Sequence, residues 1–313
     1  MGQIRIGNSD MVVSRMGVGT MAWSKSKRWG YGADLGRKDV EAAFKVSVSN
    51  GPVLFDSAEI YGFGQSERIL GKLIQGNHEP FYVATKYAPM PWRFNRRSVI
   101  KAIDKSLDRL GVNQIDLYQV HFPRGWLKIE VLMNALADAV EAGKIRHIGV
   151  SNYSADKMNR AQSALADRGL SLVSNQVEYS LINREVEFNN VLERCRELGV
   201  TLIAYSPLGR GVLSGKYSPG KSTQDMRRYY AQFKDKKLAT FQPLINALRA
   251  IGQAHEDKSP AQVSLNWLAR QPGILPIPGA KDEQQAADNA AAINWQMSDE
   301  EASCLSQISA SLT

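Results

Sequence analysis

Short β-branched or aliphatic runs alternate with helical stretches along almost the whole chain, and this alternation constrains the fold more than any other feature. It is the pattern of parallel strands joined by crossover helices. Between the runs, apolar residues recur at helical spacing, as in Val99, Ile103 and Leu110 before Gly111. The runs that predict strands cover residues 17–20, 53–56, 81–85, 117–121, 148–151, 174–177, 202–206 and 274–278.

Eight strand–helix units in 313 residues favour an α/β fold, a (β/α)8 TIM barrel. Such barrels use about 250 residues before insertions. We therefore predict one domain over residues 1–313, with no linker that divides it. The surplus is assigned to an N-terminal β-hairpin that pairs residues 4–6 with 11–13, a long loop after the seventh strand (209 to about 241), and an extra C-terminal helix near 299–308.

A doubly wound dinucleotide-binding fold is the main alternative to the barrel. That fold needs a Gly-x-Gly-x-x-Gly turn between a strand and a helix. The nearest candidate is Gly62-Phe63-Gly64, which lacks the third glycine at the required offset. The barrel is therefore preferred.

The composition excludes several classes of protein. With 43% hydrophobic and 22% charged residues, the chain has the balance of a globular protein with a large core. No run approaches the roughly 18 apolar residues that cross a bilayer, so we expect no membrane association. The net charge of +8 comes without a nucleic-acid-binding signature, so we expect no nucleic-acid partner. Cys195 and Cys304 suggest neither a disulfide framework nor a metal site, which favours a reducing cytoplasm and no bound metal.

Four polar residues lie at or just after the carboxyl ends of successive predicted strands. Asp56 ends the second strand, Tyr61 follows it, Lys86 follows the third strand and His121 ends the fourth. The carboxyl ends of barrel strands face one mouth, where active sites lie. Each residue alone has an ordinary explanation, as a helix cap, a solvated side chain or a core histidine. Their joint placement predicts a proton-transfer site.

Tyr61 is the expected general acid of this site. A free phenol has a pKa of about 10, and a neighbouring ammonium lowers it. We expect Lys86 to lower the pKa of Tyr61, and Asp56 to hold Lys86 charged, because a buried ammonium without a partner is costly. Tyr61 would protonate a carbonyl oxygen that His121 orients. General-acid help of this kind is worth about 10² to 10⁴ in rate.

Three segments contain these residues: FDSAEIYG (55–62), TK (85–86) and YQVH (118–121). Four further segments follow at later predicted strand ends: GVSNY (149–153), NQVEYS (175–180), YSPLG (205–209) and IPG (277–279). Together, the seven segments closely resemble the aldo-keto reductase family over residues 17–289, in the branch with the potassium-channel β subunits and bacterial and plant NADPH-dependent reductases. The resemblance implies a single (β/α)8 barrel that reduces aldehydes and ketones, with Asp56, Tyr61, Lys86 and His121 as catalytic residues. Ser57 departs from the family's usual Thr.

The resemblance also implies an NADP(H) site, since no protein side chain donates hydride and a nicotinamide is the usual carrier. Ser151, Asn152 and Gln176 are the expected partners of the carboxamide, and Tyr205 is expected to stack on the nicotinamide ring. The pyrophosphate is expected at the backbone N–H groups of residues 208–211 and at Lys216. The remaining expected cofactor residues are Gly19, Thr20, Met21, Ser206, Pro207, Leu208, Gly209, Gly211, Gly279, Lys281, Gln285, Asp288 and Asn289.

The adenosine end departs from the commonest family pattern. Gly279 and Gln285 stand where many members have Lys and Arg, and Asp288 replaces the more common Glu. Preference for NADPH over NADH is therefore expected to rest on Lys281, with help from Arg227 or Arg228.

Aromatic side chains are the candidate substrate contacts. The loop 87–92, with Trp23, Trp92 and Phe122, is expected to give the mouth an apolar lining for small aldehydes and ketones. The alternative function is a regulatory subunit that keeps the barrel and NADPH but mainly binds a partner protein. The four catalytic residue types favour an enzyme of the NADP-dependent alcohol dehydrogenase or carbonyl reductase class, and no partner protein is indicated.

Overall fold

The computed structural model describes residues 2–24, 36–221, 223 and 225–312. Two short antiparallel strands, β1 (Gln3–Arg5) and β2 (Val12–Ser14), precede a sheet of eight parallel strands that pair in chain order. The parallel strands are β3 (Val18–Gly19), β4 (Val53–Asp56), β5 (Phe81–Tyr87), β6 (Ile115–Val120), β7 (Ile145–Ser151), β8 (Leu172–Glu178), β9 (Thr201–Tyr205) and β10 (Ile274–Pro276).

Helices follow the parallel strands. No helix within the described ranges has the length and apolar composition required to cross a bilayer. The helices are α1 (Arg37–Ser49), α2 (Gln65–Ile74), α3 (Arg96–Leu110), α4 (Ile129–Glu141), α5 (Ala155–Ala166), α6 (Val191–Glu197), α7 (Asp235–Ala254), α8 (Pro260–Ala269), α9 (Glu283–Ala291) and α10 (Asp299–Ala310).

Backbone hydrogen bonds join the first parallel strand to the last and close the sheet. The Gly17 N–H donates to the Pro276 carbonyl at 3.0 Å, and the Gly19 N–H donates to the Pro278 carbonyl at 2.9 Å. A Cβ at position 17 would lie 2.8 Å from Ile277 Cγ2, so glycine permits the close approach at this seam. The predicted (β/α)8 barrel is confirmed.

Alternation along the strands separates an apolar barrel interior from a polar mouth. Side chains two residues apart on a strand point to the same face, so Leu54 and Asp56 both point into the barrel. Leu54 belongs to a buried apolar cluster that includes Leu117, Ile203 and Leu275, whereas Asp56 begins the polar layer above it. The residues between them, such as Phe55, pack against the surrounding helices.

The N-terminal hairpin covers the amino-terminal end of the barrel. Ile4 pairs with Val13, as the sequence predicts. Ile6, Met11 and Val13 are fully buried against the apolar cluster of the barrel interior. Among the described residues, this end of the barrel is thus filled with hydrocarbon, and the polar layer lies at the opposite end.

The structure corrects one boundary in the region after the seventh parallel strand, β9. The sequence predicts a loop from residue 209 to about 241, but α7 begins at Asp235. Leu238, Phe241 and Leu244 recur at helical spacing and are buried, so the apolar face of α7 already begins within the predicted loop. The segment before α7 contains short 3₁₀ turns, and α10 confirms the extra C-terminal helix.

Gly71 lets α2 pack directly on the end of α3. A Cβ at this position would lie 2.5 Å from the carbonyl oxygen of Leu110 and 2.8 Å from that of Arg109. We expect Gly71→Ala to lower the free energy of unfolding by about 1–3 kcal/mol, because backbone atoms cannot yield as a side chain does. Urea unfolding measures this. Lys72→Ala, at the exposed neighbouring position, is the control and should change stability by less than about 0.5 kcal/mol. Equal stabilities of both variants would contradict the packing argument.

Candidate active site

A buried ion pair lies at the centre of the barrel mouth. Lys86 Nζ is 2.5 Å from Asp56 Oδ2, and the side chains are 0% and 2% exposed. Asp56 ends β4, and Lys86 lies near the end of the neighbouring β5. Burial lowers the pKa of Lys86, and the charge of Asp56 opposes this shift. The pair satisfies the requirement that a buried charge have a partner.

Lys86 brings Tyr61 into this group. Its ammonium has three N–H donors, and three acceptors surround it: Asp56 Oδ2, the Ser57 carbonyl at 2.7 Å and Tyr61 Oη at 3.5 Å. Because the Tyr61 oxygen accepts from Lys86, the hydroxyl proton of Tyr61 is left to donate elsewhere. Tyr61 lines the open cavity, so a bound molecule can receive that proton.

The pKa of Tyr61 shifts in the direction opposite to the expected one. Burial, and then the charge of Asp56, raises the pKa of Tyr61 well above its ordinary value. The expectation that Lys86 lowers it is therefore wrong for the protein without a ligand. The reason is that Asp56 offsets the charge of Lys86, so desolvation of the phenolate dominates. Tyr61 is protonated at neutral pH, as a proton donor must be.

His121 faces Tyr61 across the cavity mouth. The two rings meet edge to face, with centroids 5.8 Å apart. Burial, and then the charge of Lys86, lowers the pKa of His121 to about 2. The imidazole is therefore neutral, and its Nδ1 has no hydrogen-bond partner among the described residues. A neutral imidazole can orient an oxygen atom without competing with Tyr61 as the acid.

Two glutamines complete the coordination of Asp56. Gln176 Nε2 donates to Asp56 Oδ1 at 2.7 Å, and Gln119 Nε2 donates to the same oxygen at 3.1 Å. The sequence assigned Gln176 only to the cofactor and gave Gln119 no role. The sequence feature that could have identified Gln119 is its position two residues before His121, because side chains two residues apart lie on the same face of a strand.

A second ion pair, also missed in the sequence, holds the loop after β5 against the Tyr61 loop. Both carboxylate oxygens of Glu59 accept from the Arg93 guanidinium, and Glu59 Oε1 also accepts from the Ala88 N–H at 2.6 Å. The two side chains are mostly buried. Such a bidentate pair fixes geometry as well as charge. Glu59 thus positions the segment that follows Lys86 relative to the segment that carries Tyr61.

A cavity of about 540 Å³ extends from the group of Asp56, Tyr61 and His121 toward the loops after β9 and β10. This volume lies in the range of small-molecule sites. Most of the expected cofactor residues line it: Gly19, Met21, Ser151, Asn152, Gln176, Tyr205, Ser206, Pro207, Leu208, Gly211, Gly279, Lys281 and Gln285.

The other expected cofactor residues lie behind or outside this lining. Thr20 is buried, and its hydroxyl bonds to the Asp56 carbonyl. Gly209 is buried, and Asn289 Nδ2 donates to the Gly279 carbonyl at 3.2 Å. Asp288 Oδ1 accepts from Gln284, and Lys216 is exposed. In the structure, Thr20 and Asn289 support residues that line the cavity.

Side chains at the ends of β7 and β9 form a connected polar wall. Asn152 has φ of 61°, its Nδ2 donates to the His121 carbonyl at 3.1 Å, and its Oδ1 accepts from the Tyr205 hydroxyl at 3.0 Å. Ser151 Oγ donates to the Gln176 carbonyl at 2.7 Å. These bonds fix the faces that the side chains present to the cavity.

The sequence predicts that backbone N–H groups of residues 208–211 bind the pyrophosphate, and the turn after β9 leaves fewer of these groups free than expected. The Gly209 N–H donates to the Ser206 carbonyl at 2.8 Å, and the Gly211 N–H donates to the Leu208 carbonyl at 2.9 Å. These two N–H groups therefore already have partners within the turn, contrary to the expectation that they are free to bind the pyrophosphate. The guanidinium-bearing residue of this turn, Arg210, lines the cavity instead.

The far end of the cavity is cationic. Lys281 and Arg227 both line it, and burial, followed by the charge of Arg227, lowers the pKa of Lys281. Arg228 is exposed and its Nη2 donates to the Tyr229 hydroxyl, so of the two expected arginines only Arg227 lines this end. Arg227 is paired with Asp225 at 2.7 Å, whereas Lys281 has no carboxylate at ion-pair distance among the described residues. Lys281 therefore favours a ligand with negative charge here.

The three aromatic residues that the sequence predicts as substrate contacts differ in their location, and only Phe122 is found in the cavity lining. Phe122 lines the cavity and stacks on His121, with centroids 4.3 Å apart. Trp23 is 0% exposed, and its indole N–H donates to the Ala280 carbonyl at 2.7 Å. Trp92 is 68% exposed and lies outside the lining. Trp23 therefore supports the site from the core, contrary to the expected substrate contact.

The structure is thus an eight-stranded barrel with a tyrosine, an ion pair and a neutral imidazole at the carboxyl ends of its strands. The aldo/keto reductase family model matches residues 15–310, and the chain therefore belongs to this family. The resemblance of the sequence motifs is confirmed.

Individual relatives agree with this membership. A chloroplastic pyridoxal reductase from Arabidopsis thaliana is 37% identical over 302 residues, which cover 92% of this chain and 81% of the relative. The structure of a glycerol dehydrogenase from Gluconobacter oxydans matches with a TM-score of 0.85 and 26% identity, over 98% of this chain and 94% of that one. An aldo/keto reductase from Klebsiella pneumoniae, in complex with NADP and acetate, matches with a TM-score of 0.77 and 28% identity, over 97% and 94%. These relationships support an oxidoreductase.

The lowered pKa of His121 predicts a loss of stability in acid. Below a pH of about 6.5 the unfolded chain takes up a proton at this imidazole, whereas the folded protein does not until about pH 2. The free energy of unfolding therefore falls as the pH falls through this window. We expect His121→Gln to remove up to about 1.4 kcal/mol of this loss per pH unit.

Urea unfolding of wild type and His121→Gln at several pH values between 7 and 4 measures this difference. The exposed His78, changed to Gln, controls for the loss of an imidazole as such. Identical pH dependence of stability in wild type and His121→Gln would show that His121 takes up its proton equally in both states.

Proposed function

We propose that this protein is an NADP(H)-dependent carbonyl reductase in which Tyr61 is the general acid. The observation that carries the proposal is the Tyr61 hydroxyl, which accepts from Lys86, faces His121 and lines the cavity. Lys86 and Asp56 are assigned to positioning and charge, and His121 to orienting the substrate oxygen. NADP(H) is the proposed cofactor because the Klebsiella pneumoniae neighbour binds NADP and the cavity here has matching chemistry.

The residues of the cavity fit a nicotinamide dinucleotide at both of its ends. Near Tyr61, the cavity lining includes Ser151, Asn152 and Gln176, whose amide and hydroxyl groups suit a ring that carries a carboxamide. Tyr205 lines the same part of the cavity, with its hydroxyl hydrogen-bonded to Asn152.

At the other end of the cavity, Lys281 supplies positive charge for a 2′-phosphate, beside Arg227, whose guanidinium is paired with Asp225. Arg210 also lines the cavity, and its guanidinium is paired with Glu178 at 3.2 Å. A single cavity therefore contains groups suited to both ends of the cofactor.

The reaction follows from the protonation states. When bound, the reduced nicotinamide supplies the hydride that converts the carbonyl carbon to an alcohol carbon. The neutral His121 imidazole orients the substrate oxygen toward the Tyr61 hydroxyl. As negative charge develops on that oxygen, the Tyr61 proton moves to it, and the Lys86 ammonium stabilises the resulting phenolate. Asp56, fixed by Gln119 and Gln176, holds the ammonium in place throughout.

Tyr61→Phe tests the assignment of the acid. We expect it to lower kcat for aldehyde reduction by about 10² to 10⁴, because the proton donor is removed and the ring remains. The measurement is steady-state NADPH oxidation with a panel that includes benzaldehyde and pyridoxal. Affinity for NADPH should change little, since the ring is kept.

Tyr82→Phe makes the same change near the opposite end of β5 and should keep wild-type activity. Turnover by Tyr61→Phe at the wild-type rate would remove Tyr61 as the donor. An absence of turnover by wild type on every carbonyl would instead favour a regulatory subunit that binds a partner protein.

Lys281→Ala tests the proposed contact with the 2′-phosphate. We expect affinity for NADPH to fall about tenfold to a hundredfold, as for loss of a charged hydrogen bond, while affinity for NADH is nearly unchanged. Fluorescence titration of both cofactors gives the two dissociation constants. Lys216→Ala is the comparison, since its expected partner is the pyrophosphate that both cofactors share. An unchanged ratio of the two affinities in Lys281→Ala would contradict the assignment.

A further inference from the structure

A stack of three side chains leads outward from the proposed reaction position on the loop between β6 and α4. The His121 imidazole and the Phe122 ring are 4.3 Å apart between centroids, with an interplanar angle of 8°. The guanidinium carbon of Arg124 lies 5.2 Å from the Phe122 centroid. Exposure increases along the stack, from the buried His121 to the exposed Arg124. The stack therefore ends in a cation at the rim of the cavity.

The positive charge of Arg124 is not neutralised by any carboxylate within the described residues. Carboxylates around the mouth already have partners, since Asp56 pairs with Lys86, and Glu59 pairs with Arg93. On the other side of the mouth, Glu178 pairs with Arg210 at 3.2 Å. A cation on an apolar ring attracts an anion carried by a molecule that passes along the free edge of that ring.

Further positive charge lies on and beside the same loop. Lys157 Nζ donates to the Pro123 carbonyl at 3.3 Å, next to Arg124, and Lys128 is the residue before α4. Neither lysine has a carboxylate partner at ion-pair distance in the described part of the chain. Lys128 interacts electrostatically with Glu130, and Lys157 is held at the Pro123 carbonyl. Arg124 is the cation of this loop that lies on the ring lining the cavity.

The loop is held in place before any substrate arrives. Gly125 has φ of 111°, and a Cβ there would lie 2.9 Å from Pro89 Cβ, so the loop rests directly on the loop after β5. The His121 N–H donates to the Tyr87 carbonyl at 2.9 Å, and the His121 carbonyl accepts from Asn152. A fixed loop reduces the entropy lost when a ligand binds.

We propose that Arg124 is a specificity residue that selects carbonyl substrates with an anionic group, of which a carboxylate is the simplest. The inference rests on the proposed function and names its substrate class. The carbonyl lies at Tyr61 and His121, an apolar or aromatic middle lies along Phe122, and the carboxylate reaches the guanidinium. Arginine suits this role because its planar donors match a carboxylate in a bidentate pair.

The test compares benzaldehyde with 4-carboxybenzaldehyde, which adds a carboxylate at the far side of the same ring. Wild type should have the higher kcat/KM for the carboxylated aldehyde, and higher salt should reduce that preference. Arg124→Gln should raise KM for 4-carboxybenzaldehyde about tenfold, with kcat nearly unchanged and benzaldehyde unaffected. Arg124→Lys should recover part of the loss, because it restores the charge without the bidentate geometry.

Lys128→Gln is the matched control, since it removes one positive charge from the same loop. Lys128→Gln should leave the ratio of kcat/KM for 4-carboxybenzaldehyde to that for benzaldehyde nearly unchanged. An equal effect of Arg124→Gln on both aldehydes, or an equal loss in Lys128→Gln, would overturn the assignment of the site to Arg124.

A binding measurement separates this inference from the proposed function. Calorimetry of 4-carboxybenzaldehyde with the protein and NADP⁺ reports the anion site whether or not turnover occurs. We expect weaker binding to Arg124→Gln than to wild type, and no such difference for benzaldehyde. Equal binding of 4-carboxybenzaldehyde to both proteins would overturn the inference, whereas failure of all reduction with this binding difference intact would overturn only the proposed function.

Discussion

The buried ion pair between Asp56 and Lys86 is the interaction on which the rest of the site depends. Removing two charges from water is expensive, and the pair is tolerated only because its remaining hydrogen-bonding capacity is used. Gln119 and Gln176 donate to Asp56, while the Ser57 carbonyl and Tyr61 accept from Lys86. These bonds connect four strands of the barrel through one polar centre. The positions of the proposed acid and of the surrounding loops follow from that centre.

Much of the fold was predictable because the barrel depends on local patterns. A strand and the helix after it are encoded within a few tens of residues, and repetition of this unit leaves few ways to arrange the sheet. The four proposed catalytic residues were predictable for the same reason, since they lie at or close after the ends of three successive strands, with Asp56 and Tyr61 sharing β4. The boundary of α7 was missed because Leu238 and Phe241 carry its apolar pattern inside a segment that begins as irregular turns.

The partners of these residues were not predictable from local pattern. Gln176 and Asp56 are 120 positions apart, and Glu59 and Arg93 are 34 apart, so only the closed barrel brings them together. The direction of the Tyr61 pKa shift also depends on this closure. From the sequence, an adjacent ammonium suggests a lowered pKa. In the folded protein, Asp56 offsets that ammonium and burial dominates, so the phenol keeps its proton.

Two cations of the site, Lys281 and Arg124, have no carboxylate at ion-pair distance among the described residues, whereas Arg227 is paired with Asp225. The sequence has a net charge of +8, but it does not show where in the fold the excess positive charge lies. In the structure, Asp56, Glu59 and Glu178 each have a cationic partner, while Lys281 lines one end of the cavity and Arg124 lies at its rim. A mouth of this kind attracts anions over a distance comparable to the Debye length, about 8–10 Å at physiological salt. The two cations lie in different regions of the site, so a phosphorylated cofactor and an anionic substrate can be held without competing for one charge.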